Sequence, residues 1–364
     1  MHNPTQGGLT LSVTDQSPIR KDDTPRNALL DTVKLAQAVE NLGYTRYWVA
    51  EHHNTGTYAG ASPEILIGQI LANTSTIRVG SGGVMLSHYS SLKVAEQFRI
   101  LESLYPNRVD LGIGRAPGSD QATMFALAYP KRPVDIQTFP QQVADLIGYL
   151  RNNLQPDHPF ATVKAQAGPD PESSPEVWLL GSSDYSANLA AYLGLPFAFA
   201  DFFGNTAKHG PAVTELYRKN FKPSSICAEP KVNVTVQVVC APTEDEAKFI
   251  ASSRNLNRAR RLIEAKTGER IQGLSTPEEA SATVLDDGAL NYVSQYTSGY
   301  YDGDPKQVVE ALKNVAEIYE TNDIGIVTIA YHLKDRIRSY QLIANELGLT
   351  SNFESLQTAT PLHD

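Results

Sequence analysis

Short apolar, β-branched runs recur along the chain, each followed by a longer stretch whose apolar positions fall three and four apart. The short runs predict strands over 9–14, 45–51, 77–86, 108–114, 177–181, 196–201, 232–240 and 324–330. The longer stretches predict helices over 28–42, 63–73, 91–104, 138–152, 185–193, 207–220, 244–266 and 305–319, and a last helix over 334–347. Strands alternating with helices imply parallel pairing. Eight such units favour a (β/α)8 TIM barrel, and a doubly wound sheet is the alternative.

The boundaries carry their own chemistry. Leu42-Gly43 and Leu193-Gly194 place a glycine just past a helix, where a left-handed cap is needed. Thr243 with Glu246 reads as a capping box. Two stretches break the alternation, 155–176, rich in proline and polar residues, and 268–303. Both read as surface insertions on one domain spanning 1–364, the second as a candidate lid.

Charge narrows the function. The formal net charge of −9 disfavours a nucleic-acid partner. Arg258, Arg260 and Arg261 form no basic patch, because their helical stretch also carries Glu264 and Glu269. Two cysteines, Cys227 and Cys240, make no disulfide framework and fit a reducing compartment. The first eight residues lack an apolar signal core, and no apolar run is long enough for a bilayer. The expectation is a soluble cytoplasmic protein with no membrane partner.

Barrel chemistry sits where strands end and βα loops begin. The second predicted strand ends in Glu51-His52-His53. Successive strand residues point to opposite faces, so the two imidazoles are poorly placed to share a metal. One histidine acting on protons is the better reading, against a Glu–His pair that merely closes the barrel. The third strand carries Gly80, Gly82 and Gly83, which mark a bulge or the close approach of a ligand. In the fourth strand Gly112 and Gly114 leave one face open, and Arg115 follows at its end, able to grip an anion. The spacing resembles a dinucleotide loop, but the third glycine is displaced and Asp135 follows no strand, so a nicotinamide-binding half is rejected. Ser182, Ser183 and Ser186 surround the start of a helix, a place that receives phosphate readily or is simply capped by serine. The usual phosphate site, after the last two strands, is spoiled by Thr243-Glu244-Asp245-Glu246 and lacks glycines at Tyr331-His332-Leu333. By elimination an anion falls between Arg115 and Ser182–Ser186. Phe202 and Phe203 either wall a pocket or pack beneath a loop.

Taken in order, Trp48–His53, Gly80–Leu86, Arg108–Arg115 and Gly181–Pro196 resemble the luciferase-like flavin monooxygenases over nearly the whole chain, from Leu11 to about Leu347. That resemblance implies a barrel binding FMN at its C-terminal mouth. His52 matches the catalytic histidine beside the flavin, and Gly82-Gly83 matches a non-proline cis pair lying against the isoalloxazine. Arg115 matches the phosphate-gripping arginine, with Ser183 and Ser186 at hydroxyl positions around the same phosphate. Gly114 stands where the light-emitting enzymes carry a reactive cysteine, and Ser182 where they carry a glutamate. The chain therefore looks more like the uncharacterised single-chain branch than like a true luciferase.

The expected reaction uses reduced FMN as cosubstrate, supplied by a separate flavin reductase, with O2 to oxidise a small organic molecule, conceivably an aldehyde. His52, backed by Glu51, would manage protons, and 268–303 would close over the site to keep it dry. A homodimer is implied by the resemblance alone. A deazaflavin hydride-transfer enzyme and a non-enzymatic flavin carrier stay open, because the phosphate residues would serve all three.

Overall fold

The computed structural model describes residues 8–115, 120–131, 133, 135–166, 173–203, 207–268, 271–297 and 299–350. Eight parallel strands close a barrel: β1 Thr10–Asp15, β2 Arg46–Val49, β3 Arg78–Met85, β4 Val109–Gly114, β5 Glu176–Gly181, β6 Phe197–Ala200, β7 Val232–Cys240 and β9 Asp323–Val327. They pair in chain order, and β9 joins β7 to β1. All eight predicted strands are present, β7 with the predicted bounds and the others with ends shifted by at most three residues.

Closure follows from side-chain parity. In β4 the odd residues Val109, Leu111 and Ile113 are wholly buried in the outer core, while Asp110, Gly112 and Gly114 point inward. β7 repeats the scheme with Val232, Val234, Val236 and Val238 outward and Asn233, Thr235 and Gln237 inward. The outward row packs under the helices and supplies the main hydrophobic core.

Those helices are α1 Pro25–Asn41, α2 Pro63–Ala72, α3 Ser91–Leu104, α5 Phe139–Leu150, α6 Asp184–Leu193, α7 Gly210–Asn220, α11 Pro305–Ile318 and α12 Leu333–Leu347, with α8 Glu244–Thr267 after β7. Gly43 and Gly194 have φ of +86° and +62°, as their predicted capping positions require. Thr243 accepts from the Glu246 N–H and caps α8, which is half of the expected box. The reciprocal box forms instead at Asp304 and Gln307 on α11.

The N-terminal end of the barrel is plugged by charge. Arg46 and Arg78 reach the buried Asp110 from neighbouring strands, and Arg46 also crosses to Asp323 and Glu176. Above this layer Trp48 and Trp178 meet edge to face at 5.5 Å, and the Trp48 indole N–H donates to Asp110. This layer and the tryptophan pair separate a polar recess at the N-terminal end, lined by Arg46, Trp178 and Asp323, from the apolar space that opens toward the C-terminal end.

The predicted insertion over 268–303 has structure of its own. It contains α9 Pro277–Ala282, α10 Asp287–Thr297 and a ninth strand, β8 Tyr300–Gly303, which pairs with Gln237–Cys240 outside the closed ring. β7 serves both neighbours because it is nine residues long, and its first half pairs with β9. Leu274 bridges to Arg20, and Lys21 pairs with Glu279, so the insertion is tied to the loop after β1. A further helix, α4 Gln121–Ala128, follows β4. It has no buried residue and no one-sided apolar face, so periodicity gave no sign of it. In the other predicted insertion, 167–172 lies outside the described residues.

Candidate functional site

A cavity of about 900 Å³, counted with its open mouth, lies at the C-terminal end of the barrel. Inward residues Thr14, Trp48, Leu180, Ala198 and Thr235 form its lower wall, and Met85, Phe199, Phe202 and Phe203 add an apolar face. Its size and lining suit a mainly apolar small molecule held by a few polar groups.

Gly82 and Gly83 line this cavity, and the peptide between them is cis. The register of β3 against β4 shifts at the same place, between Ser81 and Val84. Bulge and cavity-facing strand end are therefore one feature here. A Cβ on Gly83 would stand 2.8 Å from the Gly112 carbonyl oxygen, so only glycine lets the two strands approach. Gly112 corrects an expectation. Its face is not open, because a Cβ there would meet the Ser81 carbonyl oxygen at 2.1 Å. Gly114 is different: nothing lies within 4 Å of its Cβ position, and its missing side chain leaves cavity space.

Arg115 lies at the cavity rim, its guanidinium 4.2 Å from the Tyr185 ring on the first turn of α6. Residues 116–119 of the loop beyond it lie outside the described residues. Ser182, Ser183 and Ser186 line the same rim. Ser183 is the N-cap of α6, yet its hydroxyl makes no capping bond and stands 3.4 Å from the Ser186 hydroxyl. The first N–H groups of α6 are thus left without a side-chain partner, beside two hydroxyls and an arginine. Asp184 in this turn is exposed to solvent. Arg115 and the serines expected to share one ligand thus line the same rim.

The Glu51-His52-His53 segment differs from expectation. Glu51 is buried, and its carboxylate takes His53 Nε2 at 2.7 Å, the Tyr89 hydroxyl at 2.7 Å and the Met85 N–H at 2.9 Å. It does not back His52. Met85 immediately follows Gly82-Gly83-Val84, so Glu51 ties the end of β2 to the end of β3. The regular strand ends at Val49, and beyond it the chain turns the Glu51 and His53 side chains together and His52 away toward Tyr58. The His52 ring packs 5.0 Å from Tyr58, and its buried Nδ1 has no hydrogen-bond partner. Burial, with the nearby Arg261 and His53, pushes its pKa down to about 4, so the ring is neutral at pH 7.

Sequence reasoning missed Tyr89 and the inward row. Thr14, Trp48, Leu180 and Thr235 could have been found from strand parity once the barrel was accepted. Tyr89 follows a 3-10 turn at Leu86–His88 and carries no sequence signal. Among the described residues no group of three or more His, Cys, Asp or Glu is arranged to hold a metal ion, and no helix is long and apolar enough to cross a membrane.

A parallel barrel with one apolar cavity at its C-terminal mouth, edged by an arginine and an open helix start, defines a (β/α)8-barrel enzyme. The sequence signature of the luciferase-like monooxygenases matches residues 9–321, and the chain belongs to that family of flavin-dependent oxidoreductases. It is 40% identical over 336 residues to the uncharacterised protein YwcH of Bacillus subtilis strain 168, covering 92% of this chain and 98% of that one. It is 35% identical to the N-acetyl-S-alkylcysteine monooxygenase of the same organism, covering 93% and 98%. The crystal structure of apo-MsnO8 superposes with a TM-score of 0.83 at 36% identity, covering 94% of this chain and 99% of that one.

Proposed function

We propose that the chain is an FMN-dependent monooxygenase that takes reduced FMN from a separate reductase and uses O2 to oxidise a small organic substrate. The observation that carries this reading is the convergence of Arg115 with the uncapped start of α6 on the rim of a cavity walled by Gly82-Gly83. The residues fit the coenzyme. Arg115, Ser182, Ser183, Ser186 and the first N–H groups of α6 would hold its phosphate. Gly82, Gly83 and Gly114 leave room for a flat ring system beside β3 and β4.

Reduced FMN, when bound, supplies the activation of O2. The chain supplies position, a dry site and proton control. Phe202, Phe203 and Met85 keep water from the cavity wall. α8 and the 268–303 segment are tied to the loops after β1 and β2, and closing over the mouth is the role we assign to them. His52 does not itself line the cavity; neutral and with a buried, unpartnered ring nitrogen beside Tyr58, it is the group to which we assign proton handling. Glu51 is a positioning residue: it holds Met85, Tyr89 and His53 and so fixes the end of β3.

A homodimer is part of the same proposal. Ile65 on α2 and Ile100 and Leu104 on α3 are exposed apolar side chains on early-barrel helices, which such a contact would cover. Sedimentation velocity reads this directly. Cytoplasmic location is likewise proposed, and both cysteines are free and buried.

The functional test is a titration with oxidised and reduced FMN, then oxygen uptake over aldehydes, sulfonates and S-alkyl thioether acids, the last suggested by the B. subtilis relative. Tight binding with substrate-dependent uptake is expected. FMN binding without any oxygenated product would leave a flavin carrier. Failure with reduced FMN alongside turnover with a reduced deazaflavin would replace the reading with hydride transfer.

A further inference from the structure

Helix α8 carries four arginines whose fates differ. Arg254 pairs with Asp302 at 2.6 Å, and Arg260 donates to the Ser275 hydroxyl at 2.6 Å. Arg258 and Arg261 have no carboxylate within 4.0 Å among the described residues. Their surroundings are aromatic. Arg258 lies 4.3 Å from the Tyr296 ring and donates to the Tyr300 hydroxyl at 3.1 Å. Arg261 lies 5.2 Å from the Tyr58 ring. A guanidinium has five N–H donors, and one hydroxyl and a ring face leave most of them unengaged.

Neither arginine lines the cavity, but both lie against residues that border its aromatic side. Residues three apart share a helix face. The Tyr300 hydroxyl lies 3.5 Å from the Phe202 carbonyl oxygen, and Phe202 is a wall of the cavity. Tyr58, under Arg261, packs on His52, and both Tyr58 and Phe202 join one apolar cluster with Leu274, Val327 and Ile329. Arg261 is near enough for its charge to disfavour protonation of His52. The two arginines therefore border the Tyr58–Phe202 side of the cavity, apart from Arg115 and the start of α6.

We propose that Arg258 and Arg261 form a substrate subsite for a singly charged oxyanion, a carboxylate or sulfonate, carried on an apolar body that extends into the cavity toward Met85, Phe202 and Phe203. The proposal rests on the monooxygenase reading for the identity of the bound molecule as substrate. The arginine pair favours a planar or tripodal oxyanion that can take parallel N–H donors. The tyrosine rings hold the guanidinium planes without neutralising them. The apolar walls disfavour a second charge on the tail.

The test is calorimetric titration of the FMN-loaded protein with hexanoate, hexanesulfonate and hexanamide, which share a chain and differ in head group. The expected result is at least about tenfold tighter binding of one or both anions than of the amide, with the preference abolished in Arg258→Gln with Arg261→Gln. FMN affinity and thermal stability should not change in that double variant, and Arg258→Lys with Arg261→Lys should restore part of the preference. Which anion binds tighter distinguishes carboxylate from sulfonate. Equal binding of acid and amide, no anion binding at millimolar concentration, or a preference that survives the double variant would overturn the subsite. Loss of FMN affinity in the double variant would also overturn it, by placing the arginines on the coenzyme. The same titration is repeated on flavin-free protein, so that failure of wild-type protein to bind FMN sinks the coenzyme reading while the head-group preference still decides the subsite.

Discussion

The guanidinium of Arg115 stacks 4.2 Å over the ring of Tyr185, on the first turn of α6. That single relationship joins the end of β4 to the helix after β5 and makes two separate anion signals into one. An arginine placed there keeps its donors for a ligand while the ring holds its plane.

Replacing Arg115 by Ala should weaken FMN binding by about tenfold to a hundredfold, the effect of losing one or two charge-assisted hydrogen bonds. Arg115→Lys should recover part of it, since charge remains but the paired donors do not. Ser183→Ala with Ser186→Ala should cost less, because the helix N–H groups stay. Fluorescence quenching titrations measure all three. Thermal unfolding should move little, as Arg115 lies at the rim outside the core.

Much of this arrangement was legible in the sequence. The alternation of apolar runs and helical stretches fixed eight strands, and the glycines and Arg115 were visible at strand ends. What stayed hidden was parity-dependent or irregular. Inward rows such as Asp110-x-Gly112-x-Gly114 read as breaks in a strand until closure gives them an inside. β8 is four residues, Tyr-Tyr-Asp-Gly, with turn-forming residues at its end, and pairs only because β7 overshoots β9. The partner of Glu51 is His53 and not its neighbour His52, because β2 ends at Val49 and strand alternation no longer orders the side chains beyond it.

Two glycines of one strand should respond oppositely. Gly112→Ala puts a Cβ 2.1 Å from a backbone oxygen and should destabilise by about 1–3 kcal/mol or more, since the strands must part. Gly114→Ala meets nothing within 4 Å and should stay within about 0.5 kcal/mol of wild type. Gly114→Leu should also fold normally but fill the cavity and lower FMN affinity. Urea unfolding beside FMN titration separates the two effects. A Gly112→Ala protein as stable as wild type would contradict the close approach described.

Glu51 should matter through its partners. Glu51→Gln leaves an amide N–H2 facing donors, so at least one of Tyr89, His53 and the Met85 N–H loses its acceptor. The expected loss is about 1.5–3 kcal/mol of stability. Combined with Tyr89→Phe, the loss should be less than additive, with a coupling of about 0.5 kcal/mol or more, because both changes remove the same bond. Strict additivity in the double-mutant cycle would mean that the Tyr89 hydroxyl has no part in holding the site.

His52 gives a pH signature whose sign is set by its environment. Burial, Arg261 and His53 lower its pKa from 6.5 to about 4 in the folded chain. The unfolded chain therefore binds a proton first as pH falls, and folding loses stability from about pH 6.5 downward until the folded ring also protonates near 4. Discounted for partial exposure, the loss attributable to this group between about pH 7.5 and pH 5 is on the order of 1–2 kcal/mol. His52→Gln removes the titrating group, so its urea midpoint should fall less over that interval than the wild-type midpoint does. An acid limb equally steep in wild type and His52→Gln would show that the ring is not enclosed beside Tyr58 and Arg261 as found, and the proton role proposed for it would be lost with it.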